Sequence, residues 1–180
     1  LSRLASNESK SFLDLKKINE PYQEAFLEKT KLFLEKGHYI LGDEVLQFEQ
    51  EFAAFCNTTH CIGVGNGLDA LVLIFKGYLQ LGVLKEGDEI LVPANTYIAS
   101  ILAIINAGLK PKLVDTNLLN YNLTLDALEQ NVTQHTKGVL MVHLYGQVND
   151  AVAIKTFCKD FGLVLVEDAA QAHGAVANGL

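Results

Sequence analysis

The sequence contains one arginine, no tryptophan, three prolines and three cysteines among its 180 residues. Lysine and arginine together number 14 against 21 acidic residues, and the formal net charge is −7. This balance argues against a nucleic-acid surface, which needs clustered cations to neutralise phosphates. The cysteines form no CxxC pair and leave one over, which is typical of reduced thiols in a cytoplasmic protein; they are Cys56, Cys61 and Cys158.

A long apolar run is also missing. The longest apolar stretch, residues 98–109, includes Ser100 and Asn106 and is shorter than the ~20 residues that a membrane-spanning helix needs. The first ten residues lack the apolar segment of a signal peptide. We therefore expect no membrane association, and we expect residues 1–11 to be a leader before a single domain at residues 12–180.

Helical and strand-like segments alternate along the chain. Helical spacing at residues 12–37 and 43–55 precedes five short runs rich in Val, Ile and Leu, which are CIGVG, EILVP, KLVD, GVLMVHLYG and GLVLVEDAA. Helical segments separate these runs at residues 68–81, 98–107, 124–132 and 150–161. The alternation predicts parallel β-α-β units in an α/β sheet whose two faces are both covered.

Ligands of such sheets bind beyond the carboxyl ends of the strands, so the residues that follow each run are the candidates. In GVGNGLDAL, glycines allow close approach and the amides of Gly67 and Leu68 at a helix start favour a phosphate. A tight strand-to-helix turn explains the same residues equally well. A dinucleotide fingerprint does not fit, because GxGxxG would place its third glycine at Leu68.

Two aromatic candidates follow the next runs. Tyr97 follows EILVP, where its ring can stack on a planar ligand, although a tyrosine at the start of an apolar helix is more often part of the core. His143 lies in HLYGQ and can titrate near neutral pH. We favour an imidazole that lines a crevice over a catalytic base at this position.

The last run carries the most informative pattern. VLVEDAAQAHGA places Glu167 and Asp168 at the tip of an apolar strand, where a carboxylate is costly to bury unless a partner keeps it charged. A protonated ring nitrogen is such a partner, and Gln171 can contact the same ligand. A metal site that adds His173 is an alternative, but no second His or Cys cluster supports it, and we expect no metal. An N-cap role for Asp168 is the other alternative.

Six segments in this order resemble the sugar aminotransferases of the DegT/DnrJ/EryC1/StrS family, namely FLDL, YILGDEVLQFEQEFA, GVGNGLDAL, GDEILVPANTYIAS, HLYGQ and VEDAAQAHGA. The resemblance runs from Phe12 to Leu180. It implies a fold-type-I large domain, an α/β/α sandwich with a mostly parallel sheet, and pyridoxal 5′-phosphate (PLP) as cofactor. GNGLDAL looks most like members that aminate C3 of a dTDP-linked 3-keto-6-deoxyhexose with glutamate as donor.

The resemblance implies a role for each matched residue. Gly67 and Leu68 would bind the cofactor phosphate through their amides, and Tyr97 would stack on the pyridine ring. Asp168 would pair with the protonated ring nitrogen, which lets PLP act as an electron sink, and Gln171 would bond the ring hydroxyl oxygen. A cytoplasmic homodimer is implied as well, acting in deoxyaminosugar and surface polysaccharide (lipopolysaccharide) biosynthesis.

Substrate-binding residues are less clearly indicated. The segment around Tyr39 is a candidate lip of the site, and a simple loop between two helices explains it equally well. His143 and His173 are candidate neighbours of the substrate or the ring, and neither is assigned as a catalyst.

The chain departs from the family pattern at one point. Family members carry the Schiff-base lysine beyond the aspartate strand, whereas the last lysine here is Lys159. We therefore expect residues 12–180 to be the N-terminal part of the large domain, incomplete and unable to transaminate alone. The alternatives are a non-catalytic module that binds PLP or a nucleotide sugar, and a Rossmann-type NAD-dependent dehydrogenase, which rests only on GVGNG.

Overall fold

The computed structural model describes residues 13–177. The chain divides into two units, Leu1–Phe48 and Glu49–Leu180. Residues 1–11, the predicted leader, lie outside the described residues.

The first unit is helical. It contains α1 (Leu15–Asn19), a 3-10 turn at Glu20–Tyr22, α2 (Gln23–Lys36) and the beginning of α3 (Asp43–Phe55). The single helix predicted at residues 12–37 is interrupted because Pro21 lacks the N–H that would continue the α1 hydrogen bonds. The predicted stop is confirmed, since Gly37 adopts a left-handed φ of 66° and its amide donates to the Leu34 carbonyl.

The second unit is an α/β sandwich. Its helices are α4 (Gly67–Gln80), α5 (Ile98–Asn106), α6 (Leu125–Asn131) and α7 (Ala151–Asp160), which follow the predicted segments to within two residues. Its strands are β1 (Glu89–Pro93), β2 (Lys110–Val114), β3 (Thr136–Val142) and β4 (Val164–Asp168). All pairings are parallel and the strand order is β2-β1-β3-β4, so the predicted fold class is confirmed.

Each face of the sheet has its own core. Ile90 and Val92 of β1 pack with α4 and α5, whereas Leu91 between them packs with α6 and α7. The same alternation along β4 puts Val166 on the α4/α5 face and Leu165 on the α6/α7 face. Adjacent residues of β4 therefore pack against different helical layers.

One predicted strand is wrong. CIGVG is not a strand in the structure: Ile62 is 80% exposed and Val64 is 40% exposed. A strand needs a neighbour for its backbone hydrogen bonds, and within residues 13–177 no strand pairs with this segment. Its apolar residues therefore matched the strand pattern without the pairing that makes a strand.

Two predicted strands are shorter than expected. β3 ends at Val142, and the rest of GVLMVHLYG forms a 3-10 turn, Leu144–Gly146, in which Tyr145 has a left-handed φ of 56°. β4 ends at Asp168, before AA of GLVLVEDAA. Both endings bring polar residues to the carboxyl edge of the sheet.

Two absences concern the described part of the chain only. None of its helices combines the length and apolar character needed to cross a bilayer. Its three cysteines are free thiols, and burial raises the pKa of the Cys158 thiol to about 11. That thiol is therefore protonated at neutral pH and is not a nucleophile.

A pair of adjacent isoleucines on α5 tests the core. Ile104 is fully buried and Ile105 is 50% exposed. Replacing Ile104 by alanine should lower the free energy of unfolding by about 2–5 kcal/mol, because it leaves a cavity under the sheet. Ile105→Ala removes the same atoms and should cost less than about 1 kcal/mol. Urea denaturation of both variants measures this, and equal losses would contradict the assigned packing.

Candidate functional site

The Asp168 carboxylate is anchored at the carboxyl end of β4. The buried Ser100 hydroxyl donates to its Oδ2 at 2.9 Å, and the Ala170 amide donates to its Oδ1 at 3.2 Å. Since Val166 lies on the α4/α5 face, strand alternation puts Asp168 on that face too. Asp168 is only partly buried, so its carboxylate is held in place but still accessible to a ligand.

Ser100 is a site residue that the motif analysis did not identify. Its hydroxyl is fully buried and also lies 2.9 Å from the Thr96 hydroxyl. Because Ser100 donates to the carboxylate, Thr96 is the donor of this second bond. The sequence feature that could have indicated Ser100 is the single hydroxyl inside the apolar run IASILAIIN, because a buried polar group needs a partner.

Tyr97 stands beside this pair at the start of α5. It is the N-cap residue, and its carbonyl accepts from the Ser100 amide at 3.1 Å. Its ring is 73% exposed, so it does not belong to the core. The hydrogen bond from Ser100 to Asp168 therefore fixes the start of α5, and Tyr97 with it, against the tip of β4.

Gly67 and Leu68 begin α4 in the same helical layer. Asn66 caps the helix by accepting from the Asp69 amide at 2.9 Å, and its Nδ2 donates to the Asp69 carboxylate at the same distance. The amides of Gly67 and Leu68 belong to the first turn, which has no acceptors within the helix. A Cβ built on Gly67 meets no atom within 4 Å, so the space before this helix start is open.

Gln171 is held by the turn that follows β3. The backbone amide of Tyr145 donates to Gln171 Oε1 at 2.7 Å. In the same region, the backbone amide of His143 donates to the Asp168 carbonyl at 3.0 Å and so continues the pairing of β3 with β4. The structure thus brings Asp168, Gln171 and the β3 turn together at one edge of the sheet.

The His143 side chain lies on the other face and is occupied there. Its ring is 5% exposed, its Nδ1 accepts from the Asn149 amide at 3.1 Å, and its Nε2 lies 3.2 Å from Glu167 Oε2. With Nδ1 accepting, the neutral ring carries its proton on Nε2 and donates it to the carboxylate. This hydrogen bond lowers the pKa of the Glu167 carboxyl from its ordinary value of 4.5.

The remaining candidates, Tyr39 and His173, have contacts of their own. Tyr39 belongs to the first unit, where its hydroxyl donates to the Leu34 carbonyl and its ring packs against Phe33. His173 is exposed and meets the ring of Phe52 edge-on at 5.7 Å. Over the described residues, no three side chains of His, Cys, Asp or Glu are grouped to hold a metal ion.

The pair of His143 and Glu167 has a testable pH dependence. The folded-state pKa of Glu167 is lowered, so its carboxylate stabilises the fold above its unfolded pKa, and this contribution is lost as the pH falls through the folded value. Glu167→Gln should lower the free energy of unfolding at neutral pH by at most about 1 kcal/mol, because the side chain is half exposed and solvent screens it.

Urea titrations over a pH series measure this difference between the native protein and the Glu167→Gln variant. The difference should disappear as the pH falls through the lowered folded-state pKa of Glu167, because the carboxyl is then protonated. Glu129→Gln, at an exposed position of α6, is the matched control for loss of a surface charge. A difference for Glu167→Gln that persists at low pH would contradict the assigned role of its charge.

The chain is similar to known proteins over most of its length. Residues 21–180 match the model of the DegT/DnrJ/EryC1/StrS aminotransferase family. The dTDP-3-amino-3,6-dideoxy-alpha-D-galactopyranose transaminase of Aneurinibacillus thermoaerophilus is 48% identical over 168 residues, which are 93% of this chain and 45% of that relative. The chain therefore spans less than half the length of this curated relative.

Two solved structures share the fold. DesV of S. venezuelae superposes with a TM-score of 0.85 at 42% identity, over 91% of this chain and 43% of its own. NtdA of Bacillus subtilis, with bound cofactor PMP, superposes with a TM-score of 0.87 at 29% identity, over 99% of this chain and 40% of its own. The resemblance seen in the six sequence segments is confirmed: the chain belongs to the DegT/DnrJ/EryC1/StrS aminotransferase family and has the fold-type-I α/β architecture.

Proposed function

We propose that the full-length protein is a PLP-dependent aminotransferase that moves an amino group from glutamate to a nucleotide-linked keto-sugar. The observation that carries this proposal is the Asp168 carboxylate, which is held at the sheet edge by the buried Ser100 hydroxyl. Family membership and a neighbour with bound PMP, the amino form of PLP, support the same cofactor. The dehydrogenase alternative has no support beyond GVGNG.

The start of α4 fits the phosphate of this cofactor. The Gly67 and Leu68 amides have no acceptor within the helix, and the positive end of the helix dipole favours an anion there. The carboxylate of Asp69 is turned toward the Asn66 side-chain amide, which offsets its repulsion of a phosphate. The open space before Gly67 leaves room for the group.

The end of β4 and the start of α5 fit the ring. When bound, PLP supplies an electron sink whose ring nitrogen must stay protonated. The Asp168 carboxylate favours the proton on that nitrogen, because an opposite charge stabilises the cationic form. Tyr97 offers an exposed aromatic face in the same layer, and Gln171 offers its amide at the adjoining strand end.

In the proposed function, this chain supplies residues that bind the cofactor, and none of its residues is the Schiff-base lysine. No lysine follows Lys159, which lies on α7 before β4. The roles of Gly67, Leu68, Tyr97, Asp168 and Gln171 are to bind and orient the cofactor and to hold the ring proton.

The proposed sugar substrate is a dTDP-3-keto-6-deoxyhexose. The transaminase of A. thermoaerophilus, whose name specifies a dTDP-linked 3-amino-3,6-dideoxy sugar, supports this choice through its 48% identity. We further propose that the protein acts as a cytoplasmic homodimer in deoxyaminosugar synthesis for surface polysaccharide such as lipopolysaccharide. Tyr39, His143 and His173 stay weak candidates for sugar binding, and the engaged side chain of His143 makes it the weakest.

Substrate conversion tests the activity directly. The full-length protein, loaded with PLP and given glutamate, should convert a dTDP-3-keto-6-deoxyhexose into the 3-amino sugar, identified by mass and NMR. The same assay with UDP- and GDP-linked keto-sugars and with the 4-keto isomer tests the choice of nucleotide and of keto position. Binding of PLP without any conversion would favour the non-catalytic module, and absence of PLP binding would overturn the proposal.

A neutral replacement tests the role of Asp168. Asp168→Asn keeps the shape of the side chain but removes the charge that favours the ring proton, so kcat should fall by about 100-fold or more, as it does when a preorganised electrostatic partner is removed. Asp160→Asn, on the exposed end of α7, is the matched charge control and should leave kcat unchanged. Equal kcat values for the two variants would remove Asp168 from the mechanism.

A further inference from the structure

The turn after β3 determines which atom of Gln171 faces a ligand. A backbone amide can only donate, so the Gln171 atom that lies 2.7 Å from the Tyr145 nitrogen is the carbonyl oxygen Oε1. Within residues 13–177, the Nε2 group of Gln171 makes no hydrogen bond. Since Oε1 is turned toward the Tyr145 amide, the part of the Gln171 side chain left for a ligand is the donor Nε2.

The backbone of this turn is unusual and closely packed. Tyr145 has a φ of 56° and Gly146 a φ of 80°, so two successive residues are left-handed. Such a conformation is unfavourable for tyrosine and persists only where its surroundings impose it. A Cβ on Gly146 would lie 3.0 Å from the backbone carbonyl oxygen of Gln171. The turn therefore lies directly against the Gln171 backbone.

Asn149 holds the base of the turn. Its Nδ2 donates to the Val142 carbonyl at 2.7 Å, and its own amide donates to His143 Nδ1. The Gly146 amide donates back to the His143 carbonyl at 3.2 Å. These bonds close the turn between β3 and α7, so the direction of the Tyr145 amide is fixed by the fold.

We infer that Tyr145 and Gly146 are positioning residues, which hold Gln171 so that its Nε2 donates to an acceptor oxygen on the ligand. This inference rests on the proposed function, in which that oxygen is the ring oxygen of the cofactor. Because Oε1 is turned toward the Tyr145 amide, the group left for the ligand is Nε2, which can donate but not accept. The site therefore prefers the ionised ring oxygen and lowers the pKa of the bound ring hydroxyl.

A PLP analogue tests this in the full-length protein. 4′-Deoxypyridoxine 5′-phosphate keeps the ring hydroxyl but has no aldehyde, and its ultraviolet absorbance reports ionisation of that hydroxyl. Gly146→Ala should displace the turn, raise the pKa of the bound ring hydroxyl and weaken binding about fivefold, the loss expected for one hydrogen bond. Gly162→Ala is the matched control, because Gly162 is also left-handed but a Cβ there meets nothing.

The Gln171→Glu variant tests the hydrogen-bond donor of Gln171 separately from the position of its side chain. Its carboxylate can still accept from the Tyr145 amide but has no proton to donate, so the analogue should bind more weakly while the Tyr145 amide stays protected from hydrogen exchange. Gln171→Ala should lose both the binding and the protection. Unchanged binding by Gln171→Glu, or equal effects of Gly146→Ala and Gly162→Ala, would overturn the inference.

Hydrogen exchange in the ligand-free protein distinguishes the two failures. If the native protein does not bind the analogue, the proposed cofactor is wrong. If it binds but the Tyr145 amide exchanges as fast in the native protein as in Gln171→Ala, the positioning role is wrong and the cofactor proposal stands. Slow exchange in the native protein and in Gln171→Glu is the result that supports the positioning role.

Discussion

The hydrogen bond from Ser100 to Asp168 is the interaction on which the site depends. A hydroxyl that is fully buried needs partners, and here it is satisfied by Thr96 on one side and by a carboxylate on the other. Charge-assisted hydrogen bonds of this kind are about twice as strong as neutral ones. The bond joins the first turn of α5 to the last residue of β4, so the positions of Tyr97 and Asp168 are not independent.

The two-faced sheet explains why the site lies where it does. The α4/α5 layer contributes two helix starts, with Gly67 at one and Tyr97 at the other, and β4 turns Asp168 toward the same layer. The α6/α7 layer receives Glu167 and the ring of His143, which satisfy each other. Groups that are close in sequence are thus separated by the sheet into a set on the α4/α5 layer, where the proposed site lies, and a structural set on the α6/α7 layer.

Much of this arrangement could be predicted from the sequence, because continuous apolar runs and glycine stops are local signals. β1 and the end of α2 at Gly37 are examples. The predicted strand CIGVG was wrong because strand formation depends on a neighbour that no local pattern encodes. The left-handed Tyr145 was missed for a related reason: it lies in a turn whose base is closed by bonds from Asn149, and tyrosine has no preference for this backbone conformation.

The alternation along β4 has a consequence for how insertions and deletions act on this protein. A shift of β4 by one residue would move every side chain to the opposite layer, and it would leave an acid at only one of the two places that Glu167 and Asp168 occupy. An insertion before β4 would bring glutamate to Ser100 and Val166 to the imidazole. A deletion would bring aspartate to the imidazole and Ala169 to Ser100. A single-residue indel that shifts β4 would therefore leave one of the two contacts without a carboxylate, although the strand itself keeps both acids.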